Sequence, residues 1–160
     1  MTDQSRDIRM TYLQQEIRIA SREKLLLTTY DILIGCCRKG IAAIEAQDPE
    51  EANRSLQTAQ RALRELRFSL RQPPGEEATD PFVEKLGALY DYLYLELVSA
   101  NLHKDATRVE TVLGMLEDLN GAWARAIQTL KEEGALLSEE EKSKLNQAPE
   151  LVGGGLNLSC

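Results

Sequence analysis

Histidine is nearly missing from this 160-residue chain, with His103 its single instance. A di-iron bundle needs Glu-x-x-His pairs on two helices, so that class is excluded. A phosphorelay needs a histidine exposed in mid-helix. His103 stands beside Lys104-Asp105 at an expected helix end and reads as a solvated turn residue. Aromatic residues are scarce at 5%, and proline is confined to five positions. The three cysteines, Cys36, Cys37 and Cys160, are an odd number without metal-ligand spacing. Adjacent cysteines on one helix point in different directions, so Cys36 and Cys37 read as packed thiols, neither a redox pair nor a disulfide framework. Gly153-Gly154-Gly155 lacks the Lys and Ser/Thr that complete a phosphate loop. No apolar run is long enough to cross a bilayer, and Met1-Thr2-Asp3-Gln4 lacks the basic-then-apolar order of a signal peptide. These absences predict a protein of the reduced cytoplasm, without catalysis, metal or cofactor and without membrane insertion.

What remains favours helix. Apolar residues make up 42% and charged residues 28%, with Ala, Leu, Glu and Arg prominent. The length suits one core. Nineteen bases against 26 acids leave a net charge of −7, which argues against nucleic acid as a partner.

Residues 1–20 are polar, with Tyr12, Leu13, Ile17 and Ile19 as apolar points, and read as an arm too polar to fold alone. Ser21 is suited to cap a first helix. Leu26, Tyr30, Leu33, Cys37, Ile41 and Ile44 then recur at steps of three and four, which defines one helical face. Leu25, Ile32 and Cys36 form a second apolar row. Asp48-Pro49-Glu50-Glu51 starts another helix, with Asp48 as cap, Pro49 in first position and Glu51 closing a capping box. Its stripe runs Ala52, Leu56, Ala59, Leu63, Leu66 and Leu70, and Gln72-Pro73-Pro74-Gly75 ends it. Arg64, Arg67 and Arg71 lie on one flank of that helix. They read as a solvated face over the core edge, with a docking surface for an acidic partner as the alternative.

Asp80-Pro81 repeats the cap-then-proline device. The third helix carries Leu86, Leu89, Tyr90, Leu93, Leu97 and Ala100 on one face, and Ala88, Tyr92, Leu95, Ser99 and Leu102 on roughly the opposite one. A helix apolar on both sides is either central to a core or covered by a partner. The fourth helix, capped by Asp105 or Thr107, supplies Val109, Val112, Leu113, Leu116, Leu119, Trp123, Ile127 and Leu130; Trp123 is assigned to the core. Beyond Gly134, Ser138-Glu139-Glu140-Glu141 is suited to cap a short further helix, the acids favouring the positive end of its dipole rather than a metal. The expected fold is all-α: an antiparallel up-down four-helix bundle at 21–132, preceded by the arm and followed by an acidic short helix and loose tail at 133–160.

The stretch DPEEANRSLQTAQRALRELRFSL, Asp48 to Leu70, resembles the second helix of the flagellin export chaperones, the FliS family. The likeness rests on Asp48, Asn53, Leu56, Ala59-Gln60, Glu65-Leu66 and Ser69-Leu70. It extends to LYDYL at Leu89–Leu93, Leu97, Ala100-Asn101, Asp105 and Ala122-Trp123, and upstream to Tyr12, Ala20-Ser21, Leu25 and Tyr30-Asp31. Arg22-Glu23 replaces the family's Pro-Gly, and the linker from Gln72 to Pro81 is longer. The resemblance implies a non-enzymatic chaperone, a monomer or weak homodimer. Its partners would be the C-terminal segment of flagellin and the flagellar type III export gate. It also implies that the Tyr-bearing arm covers the empty client groove and moves when flagellin binds. Expected client contacts are Tyr92, Leu95 and Leu102, then Leu25 and Ile32, with Tyr12, Ile17 and Ile19 from the arm. The competing reading is a helical adaptor or signalling bundle that binds an amphipathic helix without an export role.

Overall fold

A computed structural model describes residues 3–71, 75 and 80–147, and among them it has four helices and no strand: α1 (Asp3–Glu45), α2 (Pro49–Ser69), α3 (Pro81–His103) and α4 (Ala106–Gln147). The chain divides into two units, residues 1–123 and 124–160. The first is the bundle, built from α1, α2, α3 and the opening turns of α4. The second holds the remaining turns of α4, residues 124–147.

The bundle is antiparallel and up-down, and individual contacts give its order. Gly40 of α1 lies against Leu56 of α2. Between α2 and α3, Asn101 Nδ2 donates to Asn53 Oδ1 at 2.8 Å and Arg67 pairs with Asp91 at 3.0 Å, so the two helices run oppositely. Arg108 reaches Glu96 at 3.4 Å to join α4 to α3, and Arg38 reaches Glu117 at 2.7 Å to join α1 to α4. Helices α1 and α3 therefore occupy diagonal corners. The stripes read from the sequence close the core: Tyr30, Leu33 and Cys37 meet Leu56, Leu63 and Leu66, Leu93 and Leu97, and Val109, Val112 and Leu116.

The helix ends follow from local chemistry. Asp48 Oδ1 accepts from the Glu51 N–H at 3.0 Å, and Asp80 Oδ1 accepts from the Phe82 N–H at 2.9 Å. The expected capping box at Asp48 is only half formed. Gln47 turns left-handed (φ 56°) after α1, and the Asp48 N–H donates back to the Ala43 carbonyl at 2.9 Å. Glu51, left without that donor, takes Ser55 Oγ at 3.2 Å and Arg54 at 3.0 Å. Lys104 (φ 49°) ends α3 in the same left-handed way, and its Nζ donates to Asn101 Oδ1 at 2.6 Å. Asp105, rather than Thr107, caps α4, accepting from the Arg108 N–H at 3.3 Å.

Two expected boundaries are moved. Helix α1 begins at Asp3, well ahead of Ser21, because residues 3–20 contain good helix formers and neither Gly nor Pro. Helix α4 passes through Gly134 to Gln147 without a break, since a helix-interior glycine costs about 1 kcal/mol without forbidding the conformation. Leu130, expected on the buried face, is exposed. The expected tail from Pro149 and Cys160 lie outside the described residues.

Candidate functional site

Helix α3 presents two apolar sides, and the bundle uses one. Leu86, Tyr90, Leu93, Leu97 and Ala100 are buried. Of the opposite row, Tyr92, Leu95 (64% exposed) and Leu102 (77% exposed) stay accessible and share one outward side, Leu95 lying three positions from Tyr92 and seven from Leu102. Leu25 and Ile32 are also exposed, on the outward side of α1. Because α1 and α3 are diagonal, the two sets lie at opposite corners of the bundle. They do not line one groove.

The arm residues form a third set. Tyr12, Ile17 and Ile19 stand on the exposed N-terminal half of α1, with Ile8, Met10 and Leu13 beside them. Every described side chain from residue 4 to 22 is exposed, so the arm does not close over α3 in this structure. The continuous helix accounts for the difference. With no break between the arm and the bundle, residues 3–22 extend about 30 Å along the α1 axis and have no hinge at which to fold back.

Sequence reasoning missed a polar chain inside the core. Trp123 Nε1 donates to Tyr30 Oη at 3.1 Å, and Tyr30 Oη shares a hydrogen bond with Tyr90 Oη at 2.7 Å. Three helices are thereby tied across the diagonal. Burial pushes both phenols above their ordinary range; for Tyr30 the bonds to Tyr90 and Trp123 partly offset it. The available signal was chemical: a buried Tyr or Trp needs a partner for its polar tip. Trp123 is part-buried against the core, as expected. Cys37 is fully buried, which pushes its thiol up to about 12, whereas Cys36 is part-exposed and raised by burial less the influence of Lys39.

The arginine flank of α2 is more than a solvated face. Between α2 and α3 lies an open cleft of about 700 Å³, walled by Arg64, Arg67, Phe68 and Arg71 on one side and by Asp91 and Tyr94 on the other. Arg67 Nε contacts both Asp91 oxygens, at 3.0 and 3.2 Å, and its guanidinium crosses Gly87 so closely that a Cβ there would lie 2.9 Å from Nη1. Arg71 stacks on the Phe68 ring at 4.6 Å. His103 is exposed, as expected, but is the last residue of α3 rather than part of the turn, and sets Nδ1 against the Ser99 carbonyl at 2.9 Å.

The described residues form a helical bundle whose α1 and α3 leave large apolar side chains uncovered. Residues 5–130 match the family described as "Flagellar protein FliS", and the chain belongs to that family. It is 34% identical to the flagellar secretion chaperone FliS of Bacillus subtilis (strain 168) over 118 residues, covering 74% of this chain and 84% of the relative. With the flagellar secretion chaperone FliS of Escherichia coli (strain K12) it shares 24% identity over 115 residues, 72% of this chain and 82% of the relative. The bundle is also similar to a solved structure titled "Crystal structure of flagellar chaperone from bacteria", with a TM-score of 0.64 at 18% identity, covering 78% of this chain and 98% of that one; this likeness concerns the fold. The family is one of chaperones, not of enzymes. Among the described residues no helix is long and apolar enough to cross a membrane.

Proposed function

We propose that this protein is a cytoplasmic export chaperone that receives the C-terminal segment of flagellin, keeps it from polymerising early and delivers it to the flagellar type III export gate. The observation that carries this reading is the uncovered side of α3. Tyr92, Leu95 and Leu102 give α3 a second apolar side, which the bundle leaves in water. An amphipathic client helix covers such a surface by laying its own apolar stripe along it, and a segment disordered when free orders as it binds. Leu25 and Ile32, at the far corner, require a client long enough to pass around the bundle. The exposed apolar residues of the arm add a third surface, contributed as helix.

The test pairs identification with perturbation. Pull-down of the tagged chain from a lysate of its own organism should recover flagellin, and recovery of other proteins in its place overturns the reading. Leu95→Asp should weaken binding of the purified flagellin segment while leaving the helical circular-dichroism signal unchanged. Covering what is exposed of Leu95 is worth about 1–2 kcal/mol, roughly five- to thirtyfold in Kd, before the cost of burying a carboxylate. A variant that unfolds places Leu95 in the core, and one that binds normally removes α3 from the interface.

A further inference from the structure

The cleft between α2 and α3 is distinct from the outward side of α3, and none of Tyr92, Leu95 and Leu102 lines it. Among the described residues that line it, three arginines and one aspartate leave two positive charges unneutralised, on a chain whose net charge is −7. Those charges are Arg64 and Arg71. Arg67 is occupied by Asp91, whereas Arg71 only stacks on Phe68 and Arg64 has no partner among the described residues. Arginine and aromatic rings are the residue types that dominate binding energy at protein interfaces. Guanidinium forks match carboxylates in shape as well as charge. The volume falls within the usual range of a ligand site.

We propose that this cleft docks an acidic peptide segment of a second partner protein, with two carboxylates on Arg64 and Arg71 and an apolar side chain between them on Phe68 and Tyr94. The spacing is set by α2. Arg64 and Arg71 are seven positions apart, about 10 Å along the axis. An extended peptide rises about 3.3 Å per residue, so acids three positions apart span the same distance. Arg67, bridged to Asp91 over Gly87, forms the fixed floor between the two free cations.

The probe is a set of short fluorescein-labelled peptides carrying two glutamates one to five positions apart with a leucine between or beside them, each with a glutamine twin. Anisotropy titration with the full chain should give tightest binding at a spacing of three and at least tenfold weaker binding for the twin. Arg64→Gln with Arg71→Gln should reduce binding to the level of the twin while leaving the melting curve and flagellin binding unchanged, since both side chains are exposed and neither belongs to the outward side of α3. Equal binding of glutamate and glutamine peptides, or a response flat in spacing, overturns the proposal. Complete displacement by equimolar inorganic phosphate would make this a simple anion site and also overturn it. So would loss of self-association in the double variant, which would make the occupant a second copy of this chain.

Discussion

Gly35→Ala and Gly40→Ala add the same methyl group to the same helix and should move stability in opposite directions. Alanine in place of a helix-interior glycine gains about 0.5–1 kcal/mol from reduced backbone entropy in the unfolded chain. At Gly35 nothing lies within 4 Å of the new Cβ, so that gain should appear nearly whole. At Gly40 the Cβ would stand 2.6 Å from Leu56 Cδ2 and 2.9 Å from Leu56 Cγ. Leu56 is fully buried, and its Cγ cannot swing aside as the end of a long side chain would. Either Leu56 leaves its rotamer or α1 and α2 move apart. Such overpacking costs about 1–3 kcal/mol, which exceeds the propensity gain and leaves Gly40→Ala destabilising by up to about 2 kcal/mol. Urea unfolding followed by far-ultraviolet circular dichroism measures both variants, and Leu56→Ala supplies the control. In that background the collision is gone, and Gly40→Ala should become neutral or stabilising, a coupling visible in the double-mutant cycle. If Gly40→Ala stabilises the parent protein as much as Gly35→Ala does, the close approach of α1 and α2 is refuted.

Tyr30→Phe removes the group shared by Tyr90 Oη and Trp123 Nε1 and should cost about 1–3 kcal/mol, with a shift in tryptophan emission; an unchanged urea midpoint would deny the chain its structural role. Stability should fall as pH rises above 9: the unfolded chain releases the Cys37 proton near 9.0, whereas the fold retains it to about 12, and the buried phenols act in the same direction above their ordinary value of 10.0. Urea midpoints at pH 8 and pH 10.5 under reducing conditions test the sign, and Cys37→Ala should flatten the slope. Deleting residues 1–15 should weaken flagellin binding without raising the association rate, because the arm does not cover α3; a faster association in stopped-flow would show that it does.

The core stripes were legible because each helix repeats apolar residues at three- and four-residue steps, and Leu26 to Ile44 and Ala52 to Leu66 pack as that period requires. The starts of α2 and α3 were legible for a similar reason, since Asp-Pro is a strong local signal. Helix extent was not. Polar stretches such as residues 3–20 can be helical through propensity alone, and Gly134 marks no end when good helix formers flank it. The outward row Tyr92, Leu95 and Leu102 was visible as a second period, but its separation from Leu25 and Ile32 depends on which helices are diagonal. No local pattern holds that information. Several residues that carry the family resemblance are structural: Asp48 and Asp105 cap helices, and Asn53 and Asn101 fasten α2 to α3. The arginine cleft was half legible, since the spacing put three cations on one flank while the aromatic wall came from packing.

Under the proposed function, the placement of apolar patches at opposite corners has a consequence for how a client would be held and let go. A segment that reaches only one corner gains only one weak contact. Once one end is seated, a longer segment meets the second patch at an effective concentration in the millimolar range, so its total affinity can exceed either contact by orders of magnitude. On that reading length would become a criterion of selection, and a truncated client would be rejected without any change in the residues that touch it. Release inherits the same geometry. A competitor that lifts one end would remove the avidity and leave a single low-affinity contact, so tight retention and rapid handover would be compatible in one bundle.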